Sequence, residues 1–169
     1  MNPMIRPADA SEADLLTRIE AEADQLLIQA LGAQEWPPPA DGASRLSGSG
    51  FVLVAVPRAA DSPAGFAHVL EADGCAHLEQ LSVAPVAARQ GVGRALVHAA
   101  ITAARERGHP HMTLRTYAQL PWNAPFYASC GFVVTQPETP FQRALIDAEA
   151  RMGLDRYGPR VQMAVALRP

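Results

Sequence analysis

The sequence predicts a domain of the α/β (or α+β) class, with a mixed central sheet and helices beside it. Three observations lead to this expectation: short apolar segments form an antiparallel meander up to residue 83, a strand–helix–strand crossover follows, and a last pair of strands closes the chain. A chain of 169 residues that is 49% hydrophobic can bury a core of its own. We therefore expect residues 1–169 to form a single domain.

The first third of the chain predicts a strand, a helix and a long loop. MIRPA is short and suits an edge strand, and Ser11 followed by Asp14 resembles a capping box that opens a helix running to about Leu31. One face of this helix is apolar, and the opposite face is acidic. Prolines and glycines then interrupt every periodicity over residues 31–50, which predicts a loop. The apolar stripe of the helix, which we expect to be buried, consists of Leu15, Ile19, Ala23, Leu26, Leu27 and Ala30.

The rest of the chain alternates strand and helix patterns. FVLVAV is a continuous apolar run that predicts a strand buried on both faces, and Asp73-Gly74 between two apolar stretches predicts a hairpin. HMTLRTY, GFVVT and RVQMAVAL predict strands, whereas NAPFYASC and TPFQRALIDAEARMGL predict helices. Between the hairpin and HMTLRTY lies a longer helix that ends before Gly108. Its buried face is predicted to be Leu96, Val97, Ala100, Ile101 and Ala104.

Composition excludes several classes of partner. Fourteen basic and seventeen acidic residues give a net charge of -3 with no basic block, so we expect no nucleic acid partner. No apolar run approaches the ~20 residues that span a bilayer, and the first residues lack the features of a secretory signal, so we expect a cytoplasmic protein without a membrane partner. Cys75 and Cys130 are expected to be packing thiols. The chain has no close Cys/His set, so we expect no metal.

The segment VAPVAARQGVGRALVHAA joins a strand to a helix through Gly91 and Gly93. One interpretation is that these glycines do no more than permit a tight turn. Alternatively they form a phosphate cradle, because a helix N-terminus offers free N–H groups and glycines let a ligand approach them. A dinucleotide fingerprint would need a small residue where Leu96 stands, and a nucleoside triphosphate loop would need lysine in place of Arg94. Neither of these two motifs fits.

Together with PWNAPFYASCGF, the segment LEQLSVAPVAARQGVGRALV resembles the GNAT superfamily of acyl-coenzyme A (acyl-CoA) dependent N-acyltransferases over residues 78–132. PWNAPFY is similar to a subgroup of small bacterial acetyltransferases. The resemblance implies a mostly antiparallel sheet of about seven strands that is splayed at the strand ending near Val83. It implies transfer of an acetyl group from acetyl-CoA to a primary amine of a small molecule or peptide, by direct attack in a ternary complex. A non-catalytic module that binds or senses acyl-CoA is the alternative, and family analogy also allows a homodimer.

The resemblance also implies which residues bind the coenzyme. In such proteins the glycine motif begins with arginine or glutamine, whereas Ala88 stands at that position here. The contacts with the pyrophosphate are mostly main-chain, and Arg89 or Arg94 can still meet phosphates. The pantetheine arm is expected on the main chain of Leu81, Ser82 and Val83. The remaining coenzyme-binding residues are Arg89, Gln90, Gly91, Val92, Gly93, Arg94, Ala95, Asn123 and Phe126.

By the same resemblance, Tyr127 is the general acid that protonates the departing thiolate. A tyrosine with an ordinary pKa of ~10 keeps its proton at neutral pH. The alternative is an aromatic ring that only packs beside Phe126 and Phe132. Asn123 either contacts the coenzyme or caps the short helix, and both roles are compatible.

Glu79 is the candidate general base, acting directly or through water. A bulge is expected in its strand where the strand splays. The other candidates for the base are His68, His77 and His111.

The resemblance also implies that residues 20–50 line the acceptor side. There Glu20, Glu22 and Asp24 can attract a cationic amine, although acidic helix faces are usually only solvated. Trp36 is a candidate platform or lid anchor.

Overall fold

Seven strands form one sheet flanked by five helices in the computed structural model, which describes residues 2–168. The strands are β1 (Met4–Pro7), β2 (Phe51–Val56), β3 (Gly65–Ala72), β4 (Cys75–Val83), β5 (His111–Tyr117), β6 (Val133–Thr135) and β7 (Arg160–Ala166). The helices are α1 (Ala13–Leu31), α2 (Gly42–Ser47), α3 (Val92–Glu106), α4 (Ala124–Ser129) and α5 (Pro140–Arg151). The sheet order is β1-β2-β3-β4-β5-β7-β6, and only β4 and β5 are parallel. The predicted fold class is confirmed.

Two apolar cores lie on opposite faces of the sheet. Alternate residues of β2 enter them, because successive side chains of a strand point to opposite faces. Leu53 and Ala55 join the larger core with α3, whereas Val52 and Val54 join a smaller core with Leu16 of α1. The prediction of a strand buried on both faces is therefore confirmed.

The start and the inward face of α1 differ from the prediction. A turn of 3-10 helix precedes α1, and its cap is Asp9, which accepts a hydrogen bond from the Ser11 N–H at 2.9 Å while Glu12 accepts one from the Asp9 N–H at 2.8 Å. The capping box is thus Asp9–Glu12, and the proposed Ser11–Asp14 box is wrong, because the Ser11 hydroxyl is itself bonded to Asp9.

The predicted apolar stripe of α1 is wrong in part. Leu26 is 45% exposed, whereas Glu20 and Asp24 are buried. These carboxylates face inward because polar partners from later in the chain reach them there, as described below. Glu20 and Asp24 of the acidic face are therefore shielded from solvent, whereas Glu22 is exposed.

Residues 31–50 contain a helix, so the prediction of a continuous loop is wrong for α2. Asp41 caps α2 by accepting a hydrogen bond from the Ser44 N–H at 3.2 Å, and the Gly42 N–H donates to the Thr17 hydroxyl at 2.9 Å. A Cβ atom on Gly42 would lie 1.9 Å from the carbonyl oxygen of Ala13. Glycine at this position lets α2 lie directly on α1.

The hairpin and the crossover helix follow the prediction. Asp73 and Gly74 join β3 to β4 with φ of 52° and 72°, which are the left-handed values that a tight hairpin turn needs. In α3 the predicted buried residues are buried, except that Ile101 is partly exposed and Val92 joins the core. Among residues 2–168, no helix is long and apolar enough to cross a bilayer.

The parallel ladder between β4 and β5 is short. It joins Ala76 to Met112, His77 to Thr113, and Leu78 to Leu114, and it ends there, although β4 stays paired with β3 as far as Val83. Opposite β3 the register shifts: His68 pairs with Gln80 and Val69 with Leu78, so Glu79 occupies a bulge. The strand therefore splays and bulges where the family resemblance implied.

We expect Gly42→Ala to lower the free energy of unfolding by about 1–3 kcal/mol, because the added methyl must push the α2 backbone away from Ala13. Chemical denaturation measures this. Ala43→Ser, at an exposed neighbour in the same helix, is the control. Equal stability of Gly42→Ala and the control would contradict the close approach of α2 to α1.

Candidate active site

A cavity of about 310 Å³ opens where β4 and β5 diverge. Residues 78–81 of β4 and residues 114–117 of β5 form its floor. Glu20, Asp24 and Leu27 of α1 lie on one side together with residues 36–40, and α5 lies on the other. Tyr127 and Asn123 reach it from α4. The cavity therefore brings together the predicted acceptor side and the predicted acid and base.

Arg45 of α2 organises the acidic side of the cavity. Its guanidinium is 5% exposed and makes two hydrogen bonds to Glu20, at 3.1 and 3.2 Å. The same group bonds His68 Nδ1 at 2.9 Å and forms a close ion pair with Glu79. A buried arginine with this many partners satisfies charges that would otherwise be costly to desolvate.

The pKa values of the carboxylates on this side are shifted in different directions. Burial raises the pKa of Glu20 and of Asp24 above their ordinary values, although Arg45 opposes it at both groups and Trp36 at Asp24. Burial acts in the same direction on Glu79, but the neighbouring His68 and the charge of Arg45 outweigh it and hold the pKa of Glu79 at about 2. Glu79 is thus a stable carboxylate and a weak proton acceptor at neutral pH.

The opposite side of the cavity carries arginines. Arg115 of β5 donates from Nε to Glu149 at 2.9 Å, and Arg160 of β7 donates from Nη2 to the same carboxylate oxygen at 3.1 Å. Both guanidinium groups line the cavity. None of these three residues was predicted, because nothing in the sequence around them forms a motif.

The position of Tyr127 is compatible with both predicted roles, the general acid and the packing ring. Its ring makes edge contacts with Phe126 and Phe132 at centroid distances of 5.2 and 6.0 Å, so the packing role holds. It also lines the cavity, and among residues 2–168 its hydroxyl has no hydrogen-bond partner. Burial raises the pKa of Tyr127 above its ordinary value. The hydroxyl is therefore protonated at neutral pH and free to donate.

The glycine loop leaves the start of α3 open. Gly91 caps the helix with φ of 79°, and no side chain caps the first amides. A Cβ on Gly91 would meet no atom within 4 Å. A Cβ on Gly93 would lie 3.7 Å from Phe126 and from Val83, and 4.0 Å from Leu81. Five of the predicted coenzyme-binding residues thus lie at an uncapped helix N-terminus, which is a ready anion site.

The polar side chains of this loop are not equally available. Arg94 donates to the Ser129 carbonyl at 3.2 Å and to its hydroxyl at 2.8 Å, so it joins α3 to α4. Gln90 donates to the Val86 carbonyl at 3.0 Å. Arg89 is exposed and adopts a left-handed φ of 61°.

The other predicted positions divide between the cavity and its surroundings. Ser82 is buried and receives a hydrogen bond from Gln80 at 3.0 Å. Val92 is buried in the core beside α3, and Ala95 is partly buried in its first turn. Asn123 precedes α4 without a capping hydrogen bond from its side chain, so the predicted N-cap contact is not made.

The histidines differ in their access to the cavity. His111 is exposed, and His68 is buried behind Arg45. His77 lines the cavity, shares a hydrogen bond with Thr113 at 2.8 Å, and has its pKa lowered by burial to about 4. It is therefore neutral at physiological pH.

Neither free thiols nor acidic groups form a metal site in the described part of the chain. Cys75 and Cys130 are both free. Within residues 2–168, no three His, Cys, Asp or Glu side chains lie close enough together to hold an ion.

The sequence over residues 16–132 matches the Acetyltransferase (GNAT) family. The chain belongs to this family. A GNAT protein is an acyl-CoA-dependent acyltransferase that binds acyl-CoA and an acceptor, and family membership together with the structural relatives supports N-acetyltransferase activity.

Solved structures of GNAT proteins share the fold. The ribosomal-protein-S18-alanine N-acetyltransferase from Escherichia coli aligns with a TM-score of 0.69 at 20% identity, over 100% of this chain and 96% of that chain. The PaiA N-acetyltransferase from Thermoplasma acidophilum, in complex with coenzyme A, aligns with a TM-score of 0.72 at 16% identity, over 98% of this chain and 99% of that chain. Nourseothricin acetyltransferase shares 30% identity over 70% of this chain and 65% of that chain, with a TM-score of 0.53.

The lowered pKa of His77 predicts a pH-dependent stability. In the unfolded chain this histidine takes up a proton below pH 6.5, whereas the folded protein keeps it neutral down to about pH 4. Between these values the unfolded state binds more protons, so the free energy of unfolding falls as the pH falls, by on the order of 3 kcal/mol. We expect His77→Gln to remove that part of the dependence.

Urea denaturation at pH 6.5, 5 and 4 measures this effect in the wild type and in His77→Gln. His98→Gln, at an exposed histidine of α3, is the matched control and should keep the wild-type dependence. An unchanged slope in His77→Gln would show that His77 is not buried in its neutral form.

Proposed function

We propose that this protein transfers the acetyl group of acetyl-CoA to a primary amine, and that both substrates meet in the cavity at the β4–β5 divergence. The proposal treats residues 1–169 as one catalytic domain. The observation that carries it is the lining of one cavity by Tyr127 from the α4 side of the sheet and by Glu79 from the α1 side. Direct transfer needs an acid for the leaving group and a polar site for the incoming amine within reach of one another.

The coenzyme would be held at the glycine loop and along the free edge of β4. Backbone amides at the start of α3 suit the pyrophosphate, because they lack a cap and carry the positive end of the helix dipole. The main chain of Leu81, Ser82 and Val83 has no ladder partner on the β5 side, and it suits the amide groups of the pantetheine arm. Arg89 is the exposed cation of the loop, while Asn123 and Phe126 border this path.

Tyr127 is proposed as the general acid. When the amine nitrogen attacks the thioester carbonyl carbon, the C–S bond breaks and the thiolate leaves with the electron pair. A nearby proton donor stabilises that departure. The hydroxyl of Tyr127 reaches the cavity and has no hydrogen-bond partner within residues 2–168, so its O–H group is available for this donation.

Glu79 is proposed to accept a hydrogen bond from the amine, directly or through a water molecule. Because its pKa is about 2, it cannot remove a proton from an ammonium group efficiently. It can attract and orient the ammonium, and it can hold a water molecule that carries the proton away. Of the alternative bases, only His77 lines the cavity.

Gly93→Asp should weaken the binding of acetyl-CoA by roughly 100-fold or more, because the new carboxylate would stand where the phosphates approach the start of α3. Calorimetric titration measures the dissociation constant. His98→Asp places the same charge one turn further along α3 at an exposed position and should bind acetyl-CoA as the wild type does. If Gly93→Asp binds acetyl-CoA as tightly as the wild type does, the glycine loop does not hold the phosphates.

Tyr127→Phe should lower the single-turnover rate of acetyl transfer by roughly 100-fold or more, with little change in affinity for acetyl-CoA. The variant keeps the ring and its contacts with Phe126 and Phe132 but loses the donor. Single-turnover measurement separates chemistry from product release. A rate equal to that of the wild type would exclude Tyr127 as the acid. A protein that binds acetyl-CoA but transfers to no amine would instead be the non-catalytic binding module.

A further inference from the structure

The two sides of the cavity carry opposite charges. The acidic wall, defined as Glu20, Asp24 and Glu79 with Arg45, holds three carboxylates and one guanidinium. The basic wall, defined as Arg115 and Arg160 with Glu149, holds two guanidinium groups and one carboxylate. A ligand that fits between them must present positive charge to one wall and negative charge to the other.

The basic wall has donors to spare. Arg115 uses Nε for Glu149, and Arg160 uses Nη2 for the same oxygen of Glu149 and, at 3.4 Å, for the Arg115 carbonyl. Among residues 2–168, neither Nη atom of Arg115 has a hydrogen-bond partner, and the Nε of Arg160 is buried without one. The side chain of Arg115 is only 9% exposed, so its free fork is confined to this wall. Such a fork matches a carboxylate in a bidentate geometry.

The acidic wall lacks a cation at Asp24. This carboxylate is 8% exposed and accepts a hydrogen bond from Trp36 Nε1 at 3.2 Å. Within residues 2–168 it has no ion-pair partner, because Arg45 is bonded to Glu20 and Glu79 instead. An ammonium group would supply the missing positive charge.

The walls do not neutralise each other. Glu79 and Arg115 follow directly after the last ladder pair of β4 and β5, yet each is bonded within its own wall. Among the described residues, no ion pair of 4.0 Å or less joins one wall to the other. The space between them is therefore available to a small molecule that carries both charges.

We propose that the acceptor is a free amino acid, or a closely related amino carboxylate, with its ammonium at the acidic wall and its carboxylate at Arg115 and Arg160. This inference rests on the proposed acetyl transfer to an amine. A polyamine would place a second cation against the basic wall, and a lysine side chain of a protein would leave the guanidinium fork without a partner. Free amino acids satisfy both walls with one molecule.

The test compares acceptors that differ only in the carboxylate. Each free L-amino acid is assayed beside its α-carboxamide, with spermidine as an acceptor without a carboxylate, and kcat/KM is measured from thiol release with acetyl-CoA. The amine of an amino acid amide is less basic and more often unprotonated at neutral pH, so amine basicity favours the amide. A preference for the acid must then come from the carboxylate.

We expect the best amino acid to exceed its amide by about 10- to 100-fold in the wild type, which is the range for hydrogen bonds to a charged group. In Arg115→Gln that ratio should fall below about threefold, because the variant loses the fork that distinguishes the pair. Arg160→Gln is a second variant with the same expectation. Arg143→Gln, an exposed arginine of α5, is the matched control and should keep the wild-type ratio.

A second measurement does not depend on turnover. The best amino acid is titrated by calorimetry into wild-type protein saturated with coenzyme A, and into Arg115→Gln, whose own affinity for coenzyme A shows that it is folded. Binding that is lost in Arg115→Gln supports an amino acid site between the two walls, and if no acetyl group is then transferred, only the proposed function fails. Preference for spermidine or for the amides, or a ratio that Arg115→Gln leaves unchanged, overturns the inference and leaves acetyl transfer standing.

Discussion

The length of the parallel contact between β4 and β5 sets the geometry of the whole site. Buried apolar pairs and the His77–Thr113 hydrogen bond hold the strands together as far as Leu78 and Leu114. Beyond them, each strand carries a charged side chain whose partners lie on opposite sides: Glu79 is drawn to α2, and Arg115 to α5. The divergence frees main-chain groups that pantetheine can use and opens the cavity in which the proposed chemistry would occur.

The charged residues of the cavity are stabilised by partners that are distant in the chain. A single residue of α2, Arg45, contacts α1, β3 and β4 through Glu20, His68 and Glu79. Buried ion pairs add little net stability, but leaving one member unpaired is costly. The position of α2, which depends on the close approach at Gly42, therefore decides whether the acidic wall is tolerated at all.

The parts of the fold that follow from local patterns could be predicted from the sequence. The apolar period of α3 and the Asp73-Gly74 turn depend on neighbours within one element or one hairpin, whereas the bulge near Glu79 was expected only from the resemblance to the GNAT family. Glu20 could not be placed, because an acidic helix residue is normally solvated, and its partner Arg45 stands 25 positions away in a segment that lacks helical periodicity. The same limit applies to Arg115, which meets Glu149 only after β5 and α5 come together.

The same difference between local patterns and distant contacts explains which of the predicted site residues reach the cavity. Tyr127 and Glu79 both reach the cavity, since family motifs describe short segments whose backbone geometry is local. Arg94 instead forms hydrogen bonds with Ser129. This contact joins α3 to α4, and no sequence motif predicts it. The two residues also differ in charge, because Glu79 is ionised and Tyr127 is neutral at the same neutral pH. In the proposed reaction, Glu79 would therefore act through its charge, the proton of the ammonium group would pass to solvent, and Tyr127 would act as a donor.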